Sequence, residues 1–63
     1  WELALLDMDE AIRLNPSSAE SYVTRATIYL HLKKKTQAHS DLEKAVAAGA
    51  SRGSLQDLFK QCK

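Results

Sequence analysis

Apolar positions recur with a helical period in four stretches of this chain, and the middle two organise the rest. Between Ala19 and Leu32, the residues Tyr22, Ala26, Tyr29 and Leu32 follow one another at spacings of four, three and three, so they share one face of a 3.6-residue helix. Between Gln37 and Ala48, the residues Ala38, Leu42, Ala45 and Val46 do the same. Only Lys33-Lys34-Lys35-Thr36 separates the two patterns. Neither apolar stripe is stable in water and so short a link has no other reach, which predicts an antiparallel αα-hairpin.

On the amino-terminal side, Glu2 to Leu14 carries Leu3, Ala4, Leu5, Leu6, Met8, Ala11, Ile12 and Leu14. That density predicts a helix buried on a wide arc. Asp9 and Arg13 stand four apart on its polar side, in the orientation that mildly supports a helix. Asn15-Pro16 ends it, because the residue before proline is pushed out of the α region. Ser17 is then the expected N-cap of the next helix, with Glu20 three residues on completing a capping box. That helix is expected to run to Leu32 or Lys33. Thr36 is the expected N-cap of the following one, which stops at Gly49, suited to a left-handed position. After the linker Ala50-Ser51-Arg52-Gly53, Ser54 is expected to cap a fourth helix whose Leu55, Leu58, Phe59 and Cys62 share one face. Gln56, Asp57, Lys60, Gln61 and Lys63 make its polar side.

The chain also matches itself. At an offset of 34, Ala4 falls on Ala38, Asp7 on Asp41, Met8 on Leu42, Ala11 on Ala45, Ile12 on Val46 and Ser17 on Ser51. A helix-turn-helix unit of this period is the length of the tetratricopeptide repeat. Tyr22-x2-Arg25-Ala26-x2-Tyr29 followed by Ala38-x3-Leu42-x2-Ala45 resembles that family's pattern, with Pro16 at its closing proline. Arg25 stands where leucine is usual, Lys33 where the turn commonly has glycine, and Ala50 where a second closing proline would come.

The resemblance implies an all-α fold, a fragment of an α-solenoid built from antiparallel helix-turn-helix repeats. Residues 1–16 would be the second helix of a preceding repeat, 17–50 one complete repeat, and 51–63 a helix capping the end. Lys60 falls where the small Ala26 stands one period earlier, which favours a cap over the start of another repeat. In such a unit Ala26, Ala38 and Ala45 let helices approach, while Tyr22, Tyr29 and Leu42 fill the spaces between them. Arg25, a charge among apolar neighbours, is expected to pair with Asp41 or Asp7; a ligand-gripping arginine is the alternative.

By the same resemblance the function is a non-catalytic protein-protein interaction scaffold. Its inner surface would be formed by Glu20, Val23, Thr24, Thr27, Leu30 and His31. Family members that grip acidic carboxyl termini of chaperones carry Lys, Asn and Arg at these positions, and none occurs here. A mixed apolar and hydroxyl surface suits an extended or helical apolar segment instead. The alternative is purely architectural, a solenoid end that docks on upstream repeats or dimerises through exposed Leu3, Leu5 and Leu6.

Composition narrows the remaining choices. The 63 residues make at most one domain with a modest core, and no apolar run approaches the roughly 18 residues of a membrane span. Nine basic against eight acidic side chains leave a net charge of +1, which gives no reason to expect nucleic acid or an acidic membrane as partner. The run Lys33 to Lys35 is the most basic spot and the basis of a third, lower-ranked reading as a nucleic-acid contact; a solvated helix end explains it more simply. A lone cysteine, Cys62, excludes an intrachain disulfide, and the expected compartment is the cytosol or the nucleus. The opening lacks a leader pattern and an initiator methionine, as expected of a piece of a larger protein.

No enzyme, cofactor or small-molecule substrate is expected. His31 and His39 flank the hairpin turn, but two histidines without a further ligand do not make a zinc site. Cys62 shares the stripe of Leu55, Leu58 and Phe59 and reads as a packed thiol rather than a reactive one. Asp7 and Asp9, two residues apart, point to different helix faces and form no catalytic dyad.

Overall fold

The computed structural model describes residues 1–62, so Lys63, assigned above to a polar helix face, lies outside the described residues. The chain is all-helical: α1 (Glu2–Leu14), α2 (Ala19–His31), α3 (Lys35–Ala47), a 3-10 turn (Gly53–Leu55) and α4 (Gln56–Gln61). The described residues form no strand. Helices α2 and α3 pack as the expected hairpin, α1 lies against α2, and α4 against α3. Among the described residues no helix is long and apolar enough to cross a membrane.

The core is small and alanine-rich. Ala26, Ala38, Leu42 and Ala45 are each fully buried and Leu55 nearly so, with Tyr22, Val23, Tyr29, Leu30, Val46, Leu58, Phe59 and Cys62 packed around them. Three alanines without accessible surface mean that the backbones of α2 and α3 approach closely, and the one large side chain wholly inside is Leu42. Enlarging an alanine there forces the helices apart. Ala38→Leu and Ala26→Leu are each expected to cost about 1–3 kcal/mol, read as a lower midpoint in a thermal melt; an unchanged midpoint for both would contradict close helix packing.

Helix ends differ from the sequence reading at three places. The N-cap of α2 is Ser18, not Ser17: its backbone is extended (φ −82°, ψ 102°) and its hydroxyl accepts from the Ser21 N–H at 3.4 Å. The expected capping box does not form: the Ser21 hydroxyl donates to the Ser18 hydroxyl, the Ser18 N–H goes to Asn15 O, and the Ser17 hydroxyl donates to Asn15 Oδ1. Thr36 does not cap α3, which begins at Lys35 with Lys34 as N-cap. Nor does Ser54 cap α4. The N–H groups of Ser54 and Leu55 bond to the carbonyls of Ser51 and Arg52, closing the 3-10 turn that delivers the chain into α4.

The early start of α3 follows from how α2 stops. Lys33 N–H donates to Leu30 O at 3.1 Å and Lys34 N–H to Tyr29 O at 2.8 Å, the paired bonds of a Schellman ending. Helix α3 ends the same way, with Gly49 N–H on Val46 O at 3.0 Å and Ala50 N–H on Ala45 O at 2.9 Å. Both endings need a left-handed residue, supplied by Gly49 (φ +115°) in one and by Lys33 (φ +61°) in the other. A side chain there costs roughly 1–2 kcal/mol relative to the right-handed form, partly offset by the greater unfolded freedom of glycine. Lys33→Gly is therefore expected to stabilise the chain by about 0.5–1 kcal/mol, seen as a raised thermal midpoint.

Helix α1 is the largest departure. Its dense apolar pattern predicts burial on a wide arc, yet it has no fully buried residue. Ala4, Leu5, Met8, Ala11 and Ile12 are half-buried, while Leu3, Leu6 and Leu14 are 77%, 63% and 71% exposed. One helix, α2, packs on it closely, and one neighbour covers one stripe. Of the three leucines expected to be exposed in the architectural alternative, Leu3 and Leu6 are, and Leu5 is not.

Candidate functional surface

Arg25 and its partners fix the orientation of α2, and with it the surface α2 presents. The guanidinium donates from Nε and Nη2 to the two carboxylate oxygens of Asp41, both at 2.7 Å, and from Nη1 to Asp9 Oδ1 at 2.8 Å. Arg25 is thus a three-helix tie, joining α1, α2 and α3. Pairing with Asp41 is as expected; the partner on α1 is Asp9, not Asp7. Residues two apart diverge on a helix, and it is Asp9 that reaches Arg25, while Asp7 is exposed. Because Asp9 is engaged there, Arg13 pairs with Glu10 instead. The carboxylates raise the Arg25 pKa, with the Asp41 hydrogen bonds the largest cause, so the guanidinium stays charged. Its central carbon lies 5.9 Å from the ring centres of both Tyr22 and Tyr29, within reach of a weak cation-π attraction. Tyr22 also donates its hydroxyl to Pro16 O at 2.9 Å, fastening the link between α1 and α2.

Of the six residues expected to form an inner surface, Thr27, Leu30 and His31 converge with Leu58 and Gln61 of α4 on a cleft of about 300 Å³. Glu20, Val23 and Thr24 stand nearer the start of α2 and do not line it; Val23 is half-buried against the core, while Glu20 and Thr24 are exposed. The threonine hydroxyls are less available than the sequence implies. Thr24 donates to Glu20 O and Thr27 to Val23 O, each at 3.0 Å, so both spend their proton on their own helix and keep only acceptor capacity. What the cleft offers is an apolar floor of Leu30 and Leu58 with a polar rim.

Two contributors are absent from the motif-derived surface, although the internal offset contains them: Leu58 and Gln61 lie one full period after Thr24 and Thr27. A third neighbour, Trp1, stacks on the His31 ring, with centroids 4.2 Å apart and planes within 9°. Nothing in the sequence pattern links Trp1 to His31, since the contact depends on how α1 crosses α2.

A second, larger cleft of about 650 Å³ opens on the far side of α4, lined by Thr36 and His39 of α3, Arg52, and Gln56, Phe59 and Lys60. Arg52 bonds Glu43 at 2.8 and 3.0 Å and lies over the Phe59 ring, 4.6 Å from its centre. His39 meets the same ring edge-on at 5.4 Å and has Glu43 at 3.6 Å. His31 and His39 thus have separate ring partners, and among the described residues no group of three or more His, Cys, Asp or Glu is placed to hold a metal. Cys62 also borders this cleft. Burial pushes its thiol pKa up, against a smaller opposing pull from Lys35, which disfavours the reactive thiolate. Lys33 and Lys34 are exposed in the turn and Lys35 opens α3, so the basic run bends around a corner.

No protein-family model, curated protein or solved structure matches the chain.

Proposed function

We propose that the chain is a segment of a tetratricopeptide-type α-solenoid that acts as a non-catalytic interaction scaffold. Its groove between α2 and α4 holds an apolar stretch of a partner protein. The observation that carries this reading is the convergence of Thr27, Leu30 and His31 with Leu58 and Gln61, residues from two elements related by the internal offset of 34, on one cleft. The cleft is shallow and mostly lacks charge, so a short extended or helical segment with apolar side chains at its centre is the complement. Selection from a displayed library of short peptides is expected to return apolar-centred sequences. Their binding should fall about tenfold or more in Leu30→Asp, which puts an uncompensated charge on the floor. Selected peptides that bind Leu30→Asp as well as the parent would refute the assignment.

A second, architectural reading is favoured by α1. With Leu3, Leu6 and Leu14 in water, that helix presents a docking stripe, and the segment would then serve to continue or terminate a stack of repeats.

A further inference from the structure

At the internal offset of 34, the two outer helices of this fold correspond in position to the two sides of its central interface. The cleft beyond α4 is the counterpart of the seat that α3 occupies on α2: Gln56, Phe59 and Lys60 stand one period after Tyr22, Arg25 and Ala26. A side of α1 that α2 covers only in part, with Ala4, Met8 and Ala11 half-buried and Asp7 exposed, is the counterpart of the face that α3 puts into that seat. Ala4, Asp7, Met8 and Ala11 stand one period before Ala38, Asp41, Leu42 and Ala45, all four of which are buried.

Charge makes the correspondence specific. In the central interface the guanidinium of Arg25 is held on one side by Asp9 and on the other by Asp41. At the outer cleft Phe59 takes the place of Arg25, but a guanidinium is restored there by Arg52, which lies on the Phe59 ring. Arg52 is held by Glu43, and Glu43 is the counterpart of Asp9 at the same offset. One of the two carboxylates is therefore in place. The second would be the counterpart of Asp41, namely Asp7, and Asp7 is exposed on α1.

We infer that two copies of this chain associate head to tail, α1 of one seated in the α4 cleft of the next, with Asp7 of the first paired to Arg52 of the second. The inference rests on the same repeat reading as the proposed function but uses a different face of the molecule. Lys60 sets its strength. Where Ala26 admits α3 to full contact, the longer Lys60 holds an incoming helix farther off, so the association is weak as the chain stands. The contact is heterologous, so each added copy leaves the same two ends exposed and growth continues beyond the dimer.

Sedimentation over a micromolar to millimolar concentration series tests this, with circular dichroism as the check that each variant is folded. Average mass is expected to climb with concentration without levelling off at two copies. Asp7→Arg or Arg52→Asp alone is expected to weaken association about tenfold, and mixing the two variants to restore it as chains in which the two alternate. Lys60→Ala is expected to strengthen it. A chain that stays monomeric throughout, or a plateau at the dimer insensitive to Asp7→Arg and Arg52→Asp, would overturn the proposal; the latter would mark a symmetric α1 contact. Leu30→Asp, which tests the peptide groove, is expected to leave the association unchanged, so either idea can fail without the other.

Discussion

Asp41→Ala is expected to remove about 3 kcal/mol of stability, which for 63 residues is comparable to the whole folding free energy of roughly 3–9 kcal/mol. The Asp41 side chain is 3% exposed and that of Arg25 15%, so its loss leaves a nearly buried guanidinium with Asp9 alone, a partner half in water. The penalty comes from the charge left behind rather than from the bond removed. Arg25→Leu added to Asp41→Ala should therefore recover part of the loss, because no desolvated charge then remains. Asp7→Ala, on an exposed position, is expected to stay within about 0.5 kcal/mol of the parent. Urea unfolding of the four chains checks all of this; equal midpoints for Asp41→Ala and Asp7→Ala would show that the buried tie contributes nothing.

Leu42→Ala is expected to cost about 2–5 kcal/mol. Leu42 is the largest side chain with no exposed surface, and it sits among Ala26, Ala38 and Ala45, which have no further atoms to bring into the space it would vacate. A rigid, small-residue surround relaxes poorly, which places the cost toward the upper part of that range. Leu6→Ala, a side chain 63% exposed, removes the same atoms from the surface and should change stability by no more than about 0.5 kcal/mol. Equilibrium unfolding distinguishes the two, and similar midpoints would mean that the core is organised around something other than Leu42.

The four helices, the hairpin and the buried alanines are readable from periodicity because each depends on residues close in sequence. The misplaced caps mark where that logic weakens. Ser17 and Ser18 are chemically equivalent candidates, and only the extended conformation of Ser18 decides between them. Thr36 loses its role because Lys33 adopts the left-handed turn expected of glycine, which starts α3 sooner than residue preference suggests. For Arg25, the partner within the hairpin is legible, since Asp41 faces α2 by necessity. Its partner on α1 depends on the rotation of one helix against another, which no spacing encodes. In the candidate groove, Leu30 and His31 come from the motif, Leu58 and Gln61 are latent in the offset of 34, and Trp1 is not legible at all.

The turn at Lys34 has an effect beyond its own conformation. Its N–H closes α2 on Tyr29 O, and its carbonyl accepts the Ala38 N–H that opens α3. One residue thereby fastens the final turn of one helix and the initial turn of the other, so neither end frays without loosening its neighbour. Amide protons on both sides of the corner should accordingly exchange with solvent through a shared opening event.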